Sequence, residues 1–213
     1  MFEMGATFVL LVFLVLTDNE FMLISREREK LIEAIKYFSK KTKYCGLIKL
    51  FKLLYFLDFT HFRQTARSVT GLVYSALPRG PVPEILYREI KTQHVLDGKI
   101  TIHEYSEIET ETGKAYTPAK IEVKGTFNPR FFTKRELRLM EQLAFIFMEA
   151  KAEQMSDVSH LKGQPWHVTK TRHGIGSPID YLLSLDGSDE QQLSKEEVVA
   201  RMEESEEIRK AFS

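Results

Sequence analysis

The stretch Gly46–Ile90, GLIKLFKLLYFLDFTHFRQTARSVTGLVYSALPRGPVPEILYREI, decides the fold. Leu47, Leu50, Phe51, Leu54 and Leu57 recur at three- and four-residue spacing, which predicts a helix with one buried apolar stripe. Lys49, Lys52, Asp58 and His61 fall mostly off that stripe and are expected to face outward. A polar link, Arg63 to Thr70, interrupts the pattern and Gly71 ends it. Leu72, Val73, Tyr74 and Ala76 then read as a short extended run. Pro78-Arg79-Gly80-Pro81-Val82-Pro83 predicts a rigid turn, because each proline ring fixes φ and glycine admits φ > 0. Pro83 suits the first position of a further helix, Glu84 to Ile90, where a missing N–H costs nothing.

On the N-terminal side, Ser25 is placed to cap a helix running to about Lys41, with Leu31, Ile35 and Phe38 inward. Further upstream, Ala6 to Leu16 is an unbroken apolar run, too short to span a bilayer as a helix. It lacks the basic flank and small-residue cleavage site of a secretory signal. We read residues 1–21 as an apolar extension, residues 22–185 as the domain, and 186–213 as a linker with an acidic amphipathic C-terminal helix.

Downstream the period changes. Asp97-Gly98 is a turn signal, and Ile100, Ile102, Ile121 and Val123 alternate with polar residues over Val95 to Val123. Glu104, Glu107, Glu109 and Glu111 fit a solvated edge better than a metal site, since they lack ligand spacing. Thr133 and Glu136 form a capping box opening a long helix to about Gln154, expected at the centre of the core. Ser156 to Gly176 reads as irregular, followed by a short helix from Ser177-Pro178 to Leu185. Ser194 and Glu197 form a second capping box, and Val198, Met202, Ile208 and Phe212 share one side of the terminal helix. The fold class expected is α+β: a predominantly helical single domain with a small antiparallel β-hairpin or three-stranded sheet.

Lys and Arg equal Asp and Glu at 30 each in 213 residues, which argues against nucleic-acid binding driven by bulk charge. The balance is uneven along the chain. Arg26 to Lys52 holds nine basic and three acidic residues, and Asp186 to Glu207 holds nine acidic and two basic. The terminal helix could therefore dock on the basic first helix or on a basic partner. The single Cys45 excludes an internal disulfide and fits a reducing cytoplasm.

No catalytic or metal constellation emerges. His160, His167 and His173 match no common ligand spacing, and no cysteine assists them. Ser159-His160 are chain neighbours without a nucleophile elbow. Lys170 to Ser177 lacks the glycine–lysine arrangement of a phosphate loop. We expect no enzyme, no cofactor and no metal.

The run from Lys52 through Ile90 resembles the Panacea domain family, which includes SocA-like antitoxins and phage-associated proteins of bacteria. The matching pieces are Lys52-Leu53-Leu54-Tyr55-Phe56 with Asp58, then Arg67 to Gly71, then Gly80-Pro81-Val82. Ser159-His160, Pro165-Trp166 and Ile179-Asp180-Tyr181 continue the resemblance, which covers roughly Ser25 to Leu185. It implies an antitoxin that binds a cognate toxin protein and neutralises it, or, as in the SocA branch, an adaptor delivering the toxin to a AAA+ protease.

Contact candidates are Lys52, Tyr55, Asp58, His61 and Arg79, with Gly80 and Pro81 at the turn and Tyr181 downstream. For Tyr55 and Asp58 a scaffolding role, by a buried hydroxyl contact and a cap-like hydrogen bond, competes equally. A DNA-binding autoregulator is the alternative, with Lys36, Lys40, Lys41, Lys43 and Lys49 on phosphates. The zero net charge and the Leu/Phe-rich second helix weigh against it. No stable membrane association is expected.

Overall fold

The computed structural model describes residues 26–103, 108–110, 113–115, 119–185 and 192–211. The apolar leader, the Ser25 cap, Glu104, Glu107, Glu111, the 186–189 linker and Phe212 lie outside them.

Helix α1 (Glu27–Lys41) turns Leu31, Ile35 and Phe38 into the core as its periodicity predicts. Helix α2 (Leu47–Thr65) is the axis of the domain. It runs against α1, against two later helices, against a strand and against a 3₁₀ turn, so no side of it is left to solvent. Leu50, Leu53, Leu54 and Leu57 are fully buried. A helix enclosed in this way buries its polar side chains too, and this corrects the outward placement expected for Lys49, Lys52, Asp58 and His61. Each of them has a partner, as buried polar groups require. Lys49 Nζ donates to the carbonyls of Lys43 (2.6 Å), Ala150 (2.7 Å) and Met148 (3.3 Å), tying two loops to the helix start.

The proline-rich stretch is more than a turn. Strands β1 (Ser75–Leu77) and β2 (Gly80–Val82) form an antiparallel hairpin closed by Pro78-Arg79, with Ala76 opposite Pro81. Proline brings no N–H to a ladder. The ladder loses nothing here, because Ala76 bonds on its other side: its N–H donates to Ser177 O and its carbonyl accepts from Gly176 N, both at 2.9 Å. Helix α3 (Glu84–Gln93) starts directly after Pro83.

Strands β3 (Val95–Leu96), β4 (Ile100–His103) and β7 (Lys120–Val123) form an antiparallel sheet in the order β3-β4-β7. Strands β5 (Ile108–Thr110) and β6 (Gly113–Ala115) make a separate hairpin. Leu96, Ile100 and Ile102 point into the core, and the sheet carries the alternation read from the sequence. The architecture is α+β and predominantly helical, as expected.

Helix α4 (Lys134–Ile146) opens with the expected capping box, Thr133 and Glu136 each bonding the other's backbone. It stops well before Gln154, and Phe145 and Ile146 are 77% and 64% exposed. The core is therefore centred on α2 and not on this helix. The segment read as irregular holds α5 (Ala152–Ser159) and α6 (Pro165–His173). The short helix after Pro178 is one 3₁₀ turn, Tyr181–Ser184, capped by Asp180. Helix α7 (Lys195–Ala211) seats Val198 on Phe62 and Ala66, at the far end of α2. Of the two docking places expected, the basic first helix is not the one used within the chain: the contact falls on that end of α2, and Met202 and Ile208 stay about two-fifths exposed. Among the described residues no helix is long and apolar enough to cross a membrane.

Candidate functional site

The signature residues gather around the middle of α2. Asp58 is fully buried, and four donors converge on its carboxyl group. The backbone N–H groups of Val69 and Thr70 both donate to Oδ1 at 2.8 Å. The Thr70 hydroxyl (2.5 Å) and the Tyr74 hydroxyl (2.8 Å) donate to Oδ2. Asp58 thus folds the link after α2 back onto the helix. Burial pushes its carboxyl up to about 6, and the four donors pull the other way.

Beside it stands an aromatic group. Tyr55 lies 4.3 Å from Phe59 and 5.5 Å from Tyr74 between ring centres, and Tyr181 stacks on Phe59 at 4.2 Å. The Tyr181 hydroxyl donates to Leu72 O at 2.6 Å, so the 3₁₀ turn is pinned to the strand entrance. The Tyr55 hydroxyl is buried near the backbone N–H of Trp166 without a hydrogen bond of normal geometry. Burial raises its pKa. His61 Nδ1 lies 2.7 Å from the carbonyl of Arg67, which requires that this nitrogen carry the proton, and burial lowers the ring's pKa.

A second knot lies under the β1–β2 turn. Lys52 is 1% exposed, and its Nζ donates to Arg79 O at 2.8 Å. Burial brings its pKa down to about 8. Gly80 stands directly against it at φ +123°: a Cβ there would lie 2.3 Å from Lys52 Nζ and 3.3 Å from His160 Nε2. His160 stacks on Trp166 at 3.7 Å, and Trp166 Nε1 donates to Leu77 O at 3.0 Å. Gly80-Pro81-Val82, Ser159-His160 and Pro165-Trp166 are far apart in sequence, and here they form a single contact.

A family model, Antitoxin SocA-like, Panacea domain, matches residues 50–167, more than half of the chain. The chain belongs to this family. No curated protein and no solved structure matches it. The matched part of this Panacea domain runs from α2 into α6 and contains both knots, while Tyr181 and α7 follow it.

The candidates therefore divide. Lys52, Tyr55, Asp58, His61, Gly80 and Pro81 are buried in the Panacea domain, Tyr181 is half-buried, and Arg79 alone is exposed at the turn. For Asp58 the geometry is that of the cap-like scaffold; Tyr55 is buried as that reading has it, but its hydroxyl makes no hydrogen bond of normal geometry. Thr70 and Tyr74, which hold Asp58, escaped the sequence reading because no periodicity links positions 12 and 16 residues apart. Pro165 at the first turn of α6 was the available sign of that helix. Two of the five lysines of the DNA reading are also buried: Lys36, paired with Glu33 at 2.7 Å, and Lys49. Among the described residues no group of His, Cys, Asp or Glu could hold a metal ion.

Proposed function

We propose that this Panacea domain is an antitoxin that neutralises a toxin protein by binding it directly, in the cytoplasm and without catalysis. The observation that carries this reading is the family match over residues 50–167. The construction of the interior supports it. The groups a catalytic mechanism would call on, Lys52, Asp58 and His61, are buried and bonded within the fold, so they stiffen a surface instead of meeting a substrate. Burial of Lys36 and Lys49 and the enclosure of α2 favour a protein partner over DNA.

The test is co-expression with the toxic product of the neighbouring gene, reading growth rescue and co-purification together. Rescue with a stable complex is the expected result. Rescue that disappears when a AAA+ protease is deleted would replace direct neutralisation by proteolytic delivery. Absence of both rescue and complex would overturn the antitoxin reading.

A further inference from the structure

The face around the β1–β2 turn is cationic in a chain of zero net charge. From Val158 to Ile179 the sequence carries Lys162, Lys170 and Arg172 with three histidines and no acid, and from Gly71 to Pro83 it carries Arg79 and no acid. The fold joins these two acid-free stretches. Gly80 abuts His160, Trp166 bonds Leu77, and Gly176 and Ser177 bond Ala76. Arg79, Lys162, Lys170 and Arg172 are all exposed, and none has an ion-pair partner among the described residues. Beneath them lies Lys52, also without an acid. His160 feels these cations: after burial, Lys52 and Lys170 are the next causes that lower its pKa, and Asp157, at the edge of the stretch, acts more weakly in the opposite direction.

The turn is also rigid. Its two tip residues, Pro78 and Arg79, are held from below by Lys52 on Arg79 O and by Trp166 on Leu77 O. Gly80 fits only as glycine. Binding through such a tip gives up little conformational entropy, and arginine is enriched where interfaces concentrate their energy. Exposed apolar residues, Pro78, Leu161 (57%) and Ile175 (49%), stand among the cations. That mixture suits a protein surface, where apolar contacts are covered, better than a row of phosphates.

We propose that this face, centred on Arg79, docks an acidic patch of the toxin. The inference rests on the antitoxin reading and adds the surface and the charge of its partner. Opposite charge there would raise the association rate and make binding salt-dependent.

The experiment is isothermal titration of the purified toxin with the wild-type chain and with R79E, K170E and, as a control on α4, K134E. Thermal melting of each variant checks folding. R79E is expected to bind roughly ten- to hundredfold more weakly with an unchanged melting temperature. K170E should weaken binding in the same direction, K134E should not, and the salt dependence should flatten in R79E. A wild-type complex indifferent to R79E and K170E overturns this inference and leaves the proposed function standing. A wild-type chain that binds no toxin overturns the function and this inference with it. Duplex DNA binding that R79E abolishes, with toxin binding intact, would make the face a phosphate reader and overturn the choice of partner.

Discussion

Replacing Asp58 by alanine would leave four donors without their acceptor in the middle of the domain. The Val69 and Thr70 amides are fixed by the chain, and each orphaned N–H costs about 1–3 kcal/mol. The Thr70 and Tyr74 hydroxyls, which both donate to Oδ2, can rotate toward other acceptors, so their loss is smaller. With the small void left by the carboxyl, D58A should cost about 3–6 kcal/mol. That is a large part of the roughly 5–15 kcal/mol that holds a domain folded. D58N is the informative comparison. Both amides use Oδ1, which asparagine keeps, and the two hydroxyls can turn to accept from its NH₂ group. D58N should therefore cost only about 1–2 kcal/mol. Urea unfolding followed by far-UV circular dichroism at neutral pH measures both, read as midpoint shifts at constant slope. A D58A variant within about 1 kcal/mol of wild type, or a D58N variant as unstable as D58A, would refute the claim that converging donors make Asp58 the organising contact.

Gly80→Ala places a methyl 2.3 Å from Lys52 Nζ at a positive φ, and should cost about 3 kcal/mol or more in the same unfolding assay. Gly98→Ala, at φ +62° with open space around it, should cost about 1 kcal/mol; equal losses would show that the Lys52–His160 floor does not matter. Lys52 has a folded pKa of about 8 against 10.5 when free. The folded state thus releases its proton first, and stability should rise as pH climbs through about 8, up to about 3 kcal/mol at most. The measurement is the difference between wild type and K52M from about pH 7.5 to about 9.5, below the range of the buried tyrosines, and a flat difference would contradict the argument. Val198→Ala should lower stability by about 2 kcal/mol, since Val198 is the fully buried contact of α7 on Phe62 and Ala66; an unchanged unfolding midpoint would mean that α7 is not seated there.

The sequence alone determined whatever is written in local period and punctuation. The leucine stripe made α2 a helix, alternation around Asp97-Gly98 made a small antiparallel sheet, and two capping boxes marked the starts of α4 and α7. Short motifs in a fixed order also carried the family. What it could not supply was the environment of the off-stripe residues. A single stripe predicts one buried face, and Lys49, Lys52, Asp58 and His61 looked solvent-facing on that ground. Their burial follows from how many neighbours α2 has, and that number is set by elements up to about a hundred residues away, such as the Ala150 carbonyl that receives Lys49.

The same holds for the turn. Pro78 to Pro83 announced rigidity, but not that Gly80–Val82 pairs as a strand, nor that residues 176 and 177 satisfy Ala76, opposite Pro81, from its other side. The knot of Lys52, Gly80, His160 and Trp166 likewise has no sequence signature, because the packing of α5 and α6 against the turn is what brings its members together. Local propensity decides which segments are helices and strands. Tertiary packing decides which charges are buried, and so leaves Arg79, Lys162, Lys170 and Arg172 at the surface while Lys52 stays below them.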